Sequence, residues 1–305
     1  MARPPIAARA ATLLSGVVLC VNACNARAYA EIAYSAYHEG TWKVYTQADT
    51  ESEPKLLRDS PGDAGAPALA PCQSAVAFEV PGQGISVCSL AENSDCKSLA
   101  SDGSWLVRPT WNSKTCDLVL VRYVADAGGE DSDLYIAGGQ SGAIEPLVVQ
   151  TGNQDEPDVS PDGRWLAYSS AQTVSLRRAG VRVIRHLWVM DLTSGTVRPL
   201  SPSASQDAHP DWSPDGRQVS FASDRSGQFE IWIIRANGEG LRQVTTGPGS
   251  KTWPAWSPDG ESILFTMSRD GRQSLWIIDA NGAEARPFVP FGEDTDVQMR
   301  DADWR

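Results

Sequence analysis

Three histidines and a scatter of carboxylates are the side chains of this chain best suited to chemistry near neutral pH. His38, His186 and His209 are its only imidazoles. Histidine titrates closest to neutrality and is also a common metal ligand. His209 with Glu156 or Asp301 would offer the mixed nitrogen and oxygen donors that a divalent cation takes. Further acids, Asp155, Glu293, Asp294 and Asp296, belong to the same neighbourhood of the repeat described below. The stretch DAGGEDSD at 126–133 is calcium-like in composition but lacks the EF-hand spacing. A covalent mechanism has little support. There is no G-x-S-x-G, H-E-x-x-H, G-x-x-x-x-G-K or G-x-G-x-x-G, and GGQSGA at 138–143 misses the first by one residue. Asp162, Asp215 and Asp259 look like acid–base candidates, yet each stands third in a Ser-Pro-Asp-Gly quartet. That setting fits a type I turn, with proline presetting φ at the second position and glycine tolerating φ > 0 at the fourth.

What positions these residues is a repeat. Each quartet is followed by three short strands. After the turn come LAYSS (166–170), VSFAS (219–223) and ILFTM (263–267). Next come HLWVMD (186–191), EIWIIR (230–235) and SLWIID (274–279), then VRPLS, LRQVT and ARPFV. Degenerate copies lie upstream at 66–80 and 108–122, where Cys72 and NSKT replace parts of the turn. The anchoring prolines, Pro67, Pro109, Pro157, Pro210 and Pro254, are 42, 48, 53 and 44 residues apart. The segment 32–47 reads as second and third strands without a first, and 301–305 as a first strand without successors. Together they make a sixth unit. Four strands per unit at this period predict an all-β, six-bladed β-propeller of four-stranded blades, closed by pairing the C-terminal strand with the N-terminal blade. The third-strand aromatics Tyr45, Tyr135, Trp188, Trp232 and Trp276 are expected to pack between blades, with Ser86 replacing them in the second blade.

In such a ring the residues before the first-strand anchors should surround the channel mouth: Ala66, Arg108, Glu156, His209, Trp253 and Asp301. They vary where the strands repeat, and loops on a rigid scaffold are the usual place for function. Two long connections are expected on the same face. One is acidic, YVADAGGEDSD (123–133). The other, SAQTVSLRRAGVRVIRH (170–186), carries Arg177, Arg178, Arg182 and Arg185 and reads as a docking rim or as an elongated hairpin with a solvated basic face.

Composition sets outer limits. The chain has 305 residues, is 41% hydrophobic and carries a formal charge of −12, so it can bury a core and as a whole repels nucleic acid. Arg3 and Arg9, an apolar run over 10–23 and Ala28-Tyr29-Ala30 predict a signal peptide over 1–30, cleaved near Ala30. Residues 31–305 then form the propeller, without a transmembrane segment, in the periplasm or outside the cell. Cleavage removes three arginines and no acid, which takes the charge to −15. Cys72, Cys88, Cys96 and Cys116 remain, an even number suited to two disulfides in an exported protein. The pairing favoured by position is Cys88–Cys96 across a hairpin and Cys72–Cys116 between adjacent turns.

The stretches PDWSPDGRQVSFASDRSGQFEIWIIRANG and PAWSPDGESILFTMSRDGRQSLWIIDANG resemble the TolB-like propeller repeat, a relative of the WD-type repeat. The resemblance runs strongly through 155–305 and weakly before. It implies a propeller that works in the bacterial envelope by binding. TolB carries a further domain before its propeller, which is not expected here. The leading expectation is therefore an exported, non-catalytic, monomeric propeller that binds a protein or peptide. Arg108, Glu156, His209, Trp253 and Asp301 would make the central contacts, and Arg177, Arg178 and Arg182 the rim. No cofactor is required by this reading. The alternative is a metal-dependent lyase or hydrolase acting on a polysaccharide or peptide, with a divalent metal on His209, Glu156 and Asp301. A purely structural scaffold is the third.

Overall fold

A computed structural model of the chain describes residues 31–57, 62–90, 96–99, 105–126, 129–138, 143–176, 180–201, 205–291 and 297–305. The expected signal segment 1–30 lies outside the described residues, as do Arg177, Arg178, Glu293, Asp294 and Asp296.

The described residues are all-β and form six four-stranded antiparallel sheets. Blade 1 takes β1 (Ile32–His38), β2 (Thr41–Gln47) and β3 (Lys55–Leu56) from the start of the ring. Blade 2 holds β4 (Gly65–Leu69), β5 (Ala75–Val80), β6 (Gly84–Ser89) and β7 (Cys96–Ser98). Blade 3 holds β8 (Trp105–Trp111), β9 (Leu118–Asp126), β10 (Gly129–Ala137) and β11 (Ile144–Val148). Blade 4 holds β12 (Asn153–Val159), β13 (Trp165–Leu176), β14 (Gly180–Asp191) and β15 (Val197–Pro199). Blade 5 holds β16 (Asp207–Trp212), β17 (Gln218–Ser223), β18 (Glu230–Arg235) and β19 (Arg242–Gln243). Blade 6 holds β20 (Ser250–Trp256), β21 (Ser262–Arg269), β22 (Arg272–Asp279) and β23 (Arg286–Pro287). The final strand, β24 (Gln298–Trp304), pairs with β1 and completes blade 1. Glu31 and Arg305 exchange backbone hydrogen bonds of 2.6 and 3.0 Å at the end of that seam.

A single blade has two apolar faces, so the core lies between blades. Between blades 4 and 5, Leu187, Val189 and Leu200 meet Val219 and Phe221. Burying such a side chain contributes about 1.5–3 kcal/mol. The aromatic column joins this packing: Tyr45, Tyr135, Trp188, Trp232 and Trp276 each lie against a cluster shared with the preceding blade.

The quartet turns are structural. Ser160 donates to Asp162 Oδ1 at 2.6 Å, and its own oxygen accepts the Trp165 N–H at 2.8 Å. Ser213 with Asp215, and Ser257 with Asp259, repeat this. Where blade 3 lacks the quartet, Asn112 Oδ1 accepts the Lys114 and Thr115 N–H groups instead. Cys72 and Cys116 form a disulfide between neighbouring turns, with Cα atoms 6.0 Å apart. Cys88 and Cys96 form another across β6 and β7.

The two long connections are strands rather than loops. β9 and β10 pair as far as Asp126 with Gly129, and β13 and β14 as far as Leu176 with Gly180. The β-branched residues Val174, Val181, Val183 and Ile184 suit an extended ladder, which explains why the chain hairpins here.

Candidate binding site at the channel mouth

The inner strand of every blade contains the same irregularity. In β4, β8, β12, β16 and β20 the ladder to the next strand slips by one residue, and β24 does so against β1. Each slip is a β-bulge. Within it, Ala66, Arg108, Glu156, His209, Trp253 and Asp301 all have left-handed backbone, with φ between 44° and 54°. For a residue with a Cβ this costs roughly 1–2 kcal/mol. Five of the six precede proline, which disfavours right-handed helical backbone at that residue and lacks an N–H that the bulge would leave unpaired. The six residues expected from the repeat therefore do meet. With the prolines that follow, they line a cavity of about 90 Å3 at the end of the channel.

Their chemistry is interlocked. Glu156, only 8% exposed, accepts the His209 backbone N–H at 2.8 Å and the Ser169 hydroxyl at 2.9 Å. His209 Nε2 and Arg185 Nη1 approach its other oxygen at 3.2 and 3.4 Å. Burial opposes the Glu156 charge, but His209 and Arg185 outweigh it and hold the carboxyl well below its ordinary range. Asp155 is pushed upward, first by burial and then by Glu156, and it accepts the Tyr123 hydroxyl at 2.9 Å. Asp301 pairs with Arg300 at 3.3 Å and more loosely with Arg108 at 3.9 Å. The Arg108 guanidinium lies 4.1 Å from the centre of the Trp253 ring, and the His209 ring packs on Trp253 at 3.7 Å. Burial works against the Arg108 charge, but Asp301 and Glu79 lead a group of carboxylates that hold it firmly protonated. Trp253 is thus clasped by a guanidinium and an imidazole while remaining half-exposed. Arg108 Nη1 and His209 Nδ1 have no hydrogen-bond partner among the described residues.

Among the described residues, no three histidine, cysteine or acidic side chains are grouped to hold a metal ion. His209 and Glu156 meet each other, whereas Asp301 is taken by Arg108 and Arg300. His186 and His38 stand apart from this cluster. His38 stacks on Phe291, and His186 pairs with Ser170 in the β13–β14 ladder.

Two residues further along each inner strand lies a second tier: Ala68, Thr110, Asp158, Asp211, Ala255 and Asp303. Its acids staple neighbouring blades. Asp158 accepts the Trp212 N–H at 2.7 Å, Asp211 that of Trp256 at 2.8 Å, and Asp303 that of Leu69 at 2.6 Å. The Arg305 side chain reaches into this tier, contacting Asp158 at 3.2 Å and Asp303 at 3.1 Å. One guanidinium serves three carboxylates. Burial, and then the Asp158 charge, push the Asp211 carboxyl well above its ordinary value, and burial raises Asp158 too. This tier was not anticipated, although its signal is plain: an aspartate two positions after the bulge residue in blades 1, 4 and 5. An acid with a raised folded pKa contributes stability at low pH that is lost as pH rises through that pKa. Asp211→Asn keeps an acceptor for Trp256 and removes the charge. Its melting temperature should equal or exceed that of the wild type at pH 8, with the advantage shrinking toward pH 4.5. A large loss at both pH values in thermal melts would show that the Asp211 charge is needed.

A closed ring of six four-stranded blades, with a varied rim around one channel mouth, defines a β-propeller. Residues 183–300 match the TolB beta propeller domain, and the chain is a TolB-like β-propeller. TolB from Acinetobacter baumannii superposes with a TM-score of 0.73 over 90% of this chain and 66% of its own, at 18% identity, a likeness of fold. The uncharacterized protein Atu1656 of Agrobacterium fabrum is 35% identical over 80 residues, 26% of this chain. The uncharacterized peptidase YuxL of Bacillus subtilis is 33% identical over 84 residues, 27% of this chain. The matched segments span 24% and 12% of those relatives' lengths. Among the described residues, no helix is long and apolar enough to cross a membrane.

Proposed function

We propose that this propeller is exported through its first 30 residues and binds a protein or peptide partner at the channel mouth. The observation that carries this reading is the ring of six bulges. All six blades spend backbone strain at the same position, and the side chains so presented differ in every blade. Backbone strain at one locus is a pointer to a functional surface. Half-exposed Trp253, held by Arg108 and His209, has the make-up of an interface anchor. Glu156 and Asp301 act from below by fixing His209, Arg108 and the neighbouring Arg300. Arg177, Arg178 and Arg182 extend the contact outward. The two disulfides suit an oxidising compartment, periplasmic or extracellular.

The test is capture from an envelope extract by immobilised wild type beside the Trp253→Ala/His209→Ala variant. A partner bound by the wild type and weakened about tenfold or more in a folded variant is expected. Undiminished binding by the variant would overturn the assignment of this surface. The catalytic alternative draws on the His209–Glu156 pair, in which a carboxylate orients an imidazole as in many general bases. Stoichiometric metal in the purified protein, lost in His209→Ala, would favour a metal-dependent lyase or hydrolase over the binding reading.

A further inference from the structure

Strands β13 and β14 reach beyond the sheet that supports them. Pairing of β12 with β13 ends at Asn153 opposite Ala171, while β13 continues five residues further, to Leu176. Gly152, with φ 89°, turns the chain away at that point.

The ladder's parity identifies the backbone groups left over. Leu192 donates its N–H to Arg164 O at 2.8 Å, so even-numbered residues of β13 face β14. Odd-numbered residues face the other way, as Trp165 does when its carbonyl accepts the Ser160 N–H at 2.8 Å. Beyond Ala171, the outward residues are Thr173 and Ser175. Neither has a neighbouring strand, and no backbone hydrogen bond reaches their outer side among the described residues. The opposite edge is treated differently. There the Gln206 side chain imitates a third strand, donating to Val183 O at 2.7 Å and accepting from Arg185 N at 3.1 Å.

Exposed strand edges are ordinarily protected by lysine, proline, a bulge or a covering segment. The free stretch, 172–176, reads Gln-Thr-Val-Ser-Leu and has none of these residues. Its register with β14 runs unbroken. The local charge also stands out. Between residues 165 and 190 there are four arginines and no acid, in a chain of formal charge −12.

We propose that the outer edge of β13, residues 172–176, receives an extended acidic peptide segment of a partner protein as an added strand. Main-chain pairing with Thr173 and Ser175 supplies the binding, and the basic hairpin selects the acidic sequence. This site lies on the hairpin and is separate from the channel mouth.

Ser175→Pro is the discriminating variant. It removes an N–H that the β13–β14 ladder does not use, so the hairpin survives while the edge is blocked. The probes are short labelled peptides alternating Glu with Val, and Lys with Val. Fluorescence anisotropy should show the Glu peptide binding wild type about tenfold tighter than Ser175→Pro, and about tenfold tighter than the Lys peptide binds wild type. Trp253→Ala/His209→Ala should bind the Glu peptide as wild type does, which separates this site from the mouth. In wild type, amide exchange at Thr173 and Ser175 should slow when the Glu peptide is added, a readout that does not depend on how any variant folds. The proposal is overturned if wild type does not bind the Glu peptide, if folded Ser175→Pro binds it equally, or if the Lys peptide is preferred. Concentration-dependent dimerisation that protects the same two amides without peptide would also overturn it, by making a second copy the occupant.

Discussion

Replacing Arg305 by alanine is expected to cost about 3–5 kcal/mol, the usual penalty for removing one partner of a buried ion pair. For a domain of this size that is a fall in melting temperature of roughly 10 °C. The reason is the imbalance in the second tier of the channel. Asp158 and Asp303 contact the Arg305 guanidinium directly, and Asp211 lies within its field. Burial opposes the Arg305 charge, but the three aspartates outweigh it and hold the group firmly protonated. Without it, three carboxylates face one another in a channel lined by six strands. They are also bound to backbone N–H groups of the next blade, so they cannot swing away without releasing Trp212, Trp256 and Leu69. The loss should depend on pH. Asp158 and Asp211 already have raised pKa values, and removing the cation raises them further. Acidification from pH 8 toward 5 neutralises them and should recover much of the lost stability. Thermal melts of wild type and Arg305→Ala across that range make the comparison. A deficit that is small, or independent of pH, would mean the guanidinium does not neutralise this tier.

Glu156→Ala should be nearly as damaging, with a different pH signature. Alanine leaves the His209 N–H, the Ser169 hydroxyl and the Arg185 guanidinium without their shared acceptor. Arg185 is partly exposed and can turn to water, so the expected cost is about 3 kcal/mol, at the lower end for a broken buried pair. The Glu156 carboxyl has a lowered folded pKa. Its stabilisation is therefore complete above the ordinary glutamate value and is lost as pH falls below it. The Glu156→Ala deficit should hold constant from pH 8 to 5 and shrink only below about 4.3. The Arg305→Ala deficit shrinks within the upper range. Glu156→Gln, which keeps an acceptor oxygen, should fall between wild type and alanine. A Glu156→Ala protein as stable as wild type at pH 7 would refute the account of the cluster. If that variant folds, its channel mouth should also bind a partner less well, because His209 loses its orientation.

The ring was legible in the sequence because its signals are local and repeated. Ser-Pro-Asp-Gly dictates a turn through the preferences of four adjacent residues, and the period multiplies that evidence. The membership of the mouth followed by counting, since Arg108, Glu156, His209 and Trp253 each precede an anchoring proline. The left-handed backbone at those positions was not read, although a residue before proline in an inner strand was the available hint. Who touches whom could not be read at all. That Glu156 holds His209, and that Arg108 covers Trp253, depends on blades more than 40 residues apart in sequence closing to a common axis. Arg305 was invisible for the same reason, because its partners come from blades 4 and 5 as well as from its own strand. The extended hairpin of blade 4 could be read either way, because arginines interrupt an alternation that β-branched residues otherwise sustain.

The seam of blade 1 gives the ring a direction in which it comes apart. β1 and β24 are antiparallel, and Glu31 and Arg305 face each other at the same end of the pair. A load applied to those two residues meets the rungs one after another, as in a zipper, and never loads them together in shear. Blades 2 and 3 are latched covalently by Cys72 and Cys116, whereas hydrogen bonds alone close blade 1. Traction on the ends is therefore concentrated on a single seam. When that seam parts, Arg305 is drawn from among its aspartates, and the interior of the channel loses its counter-charge in the same stroke.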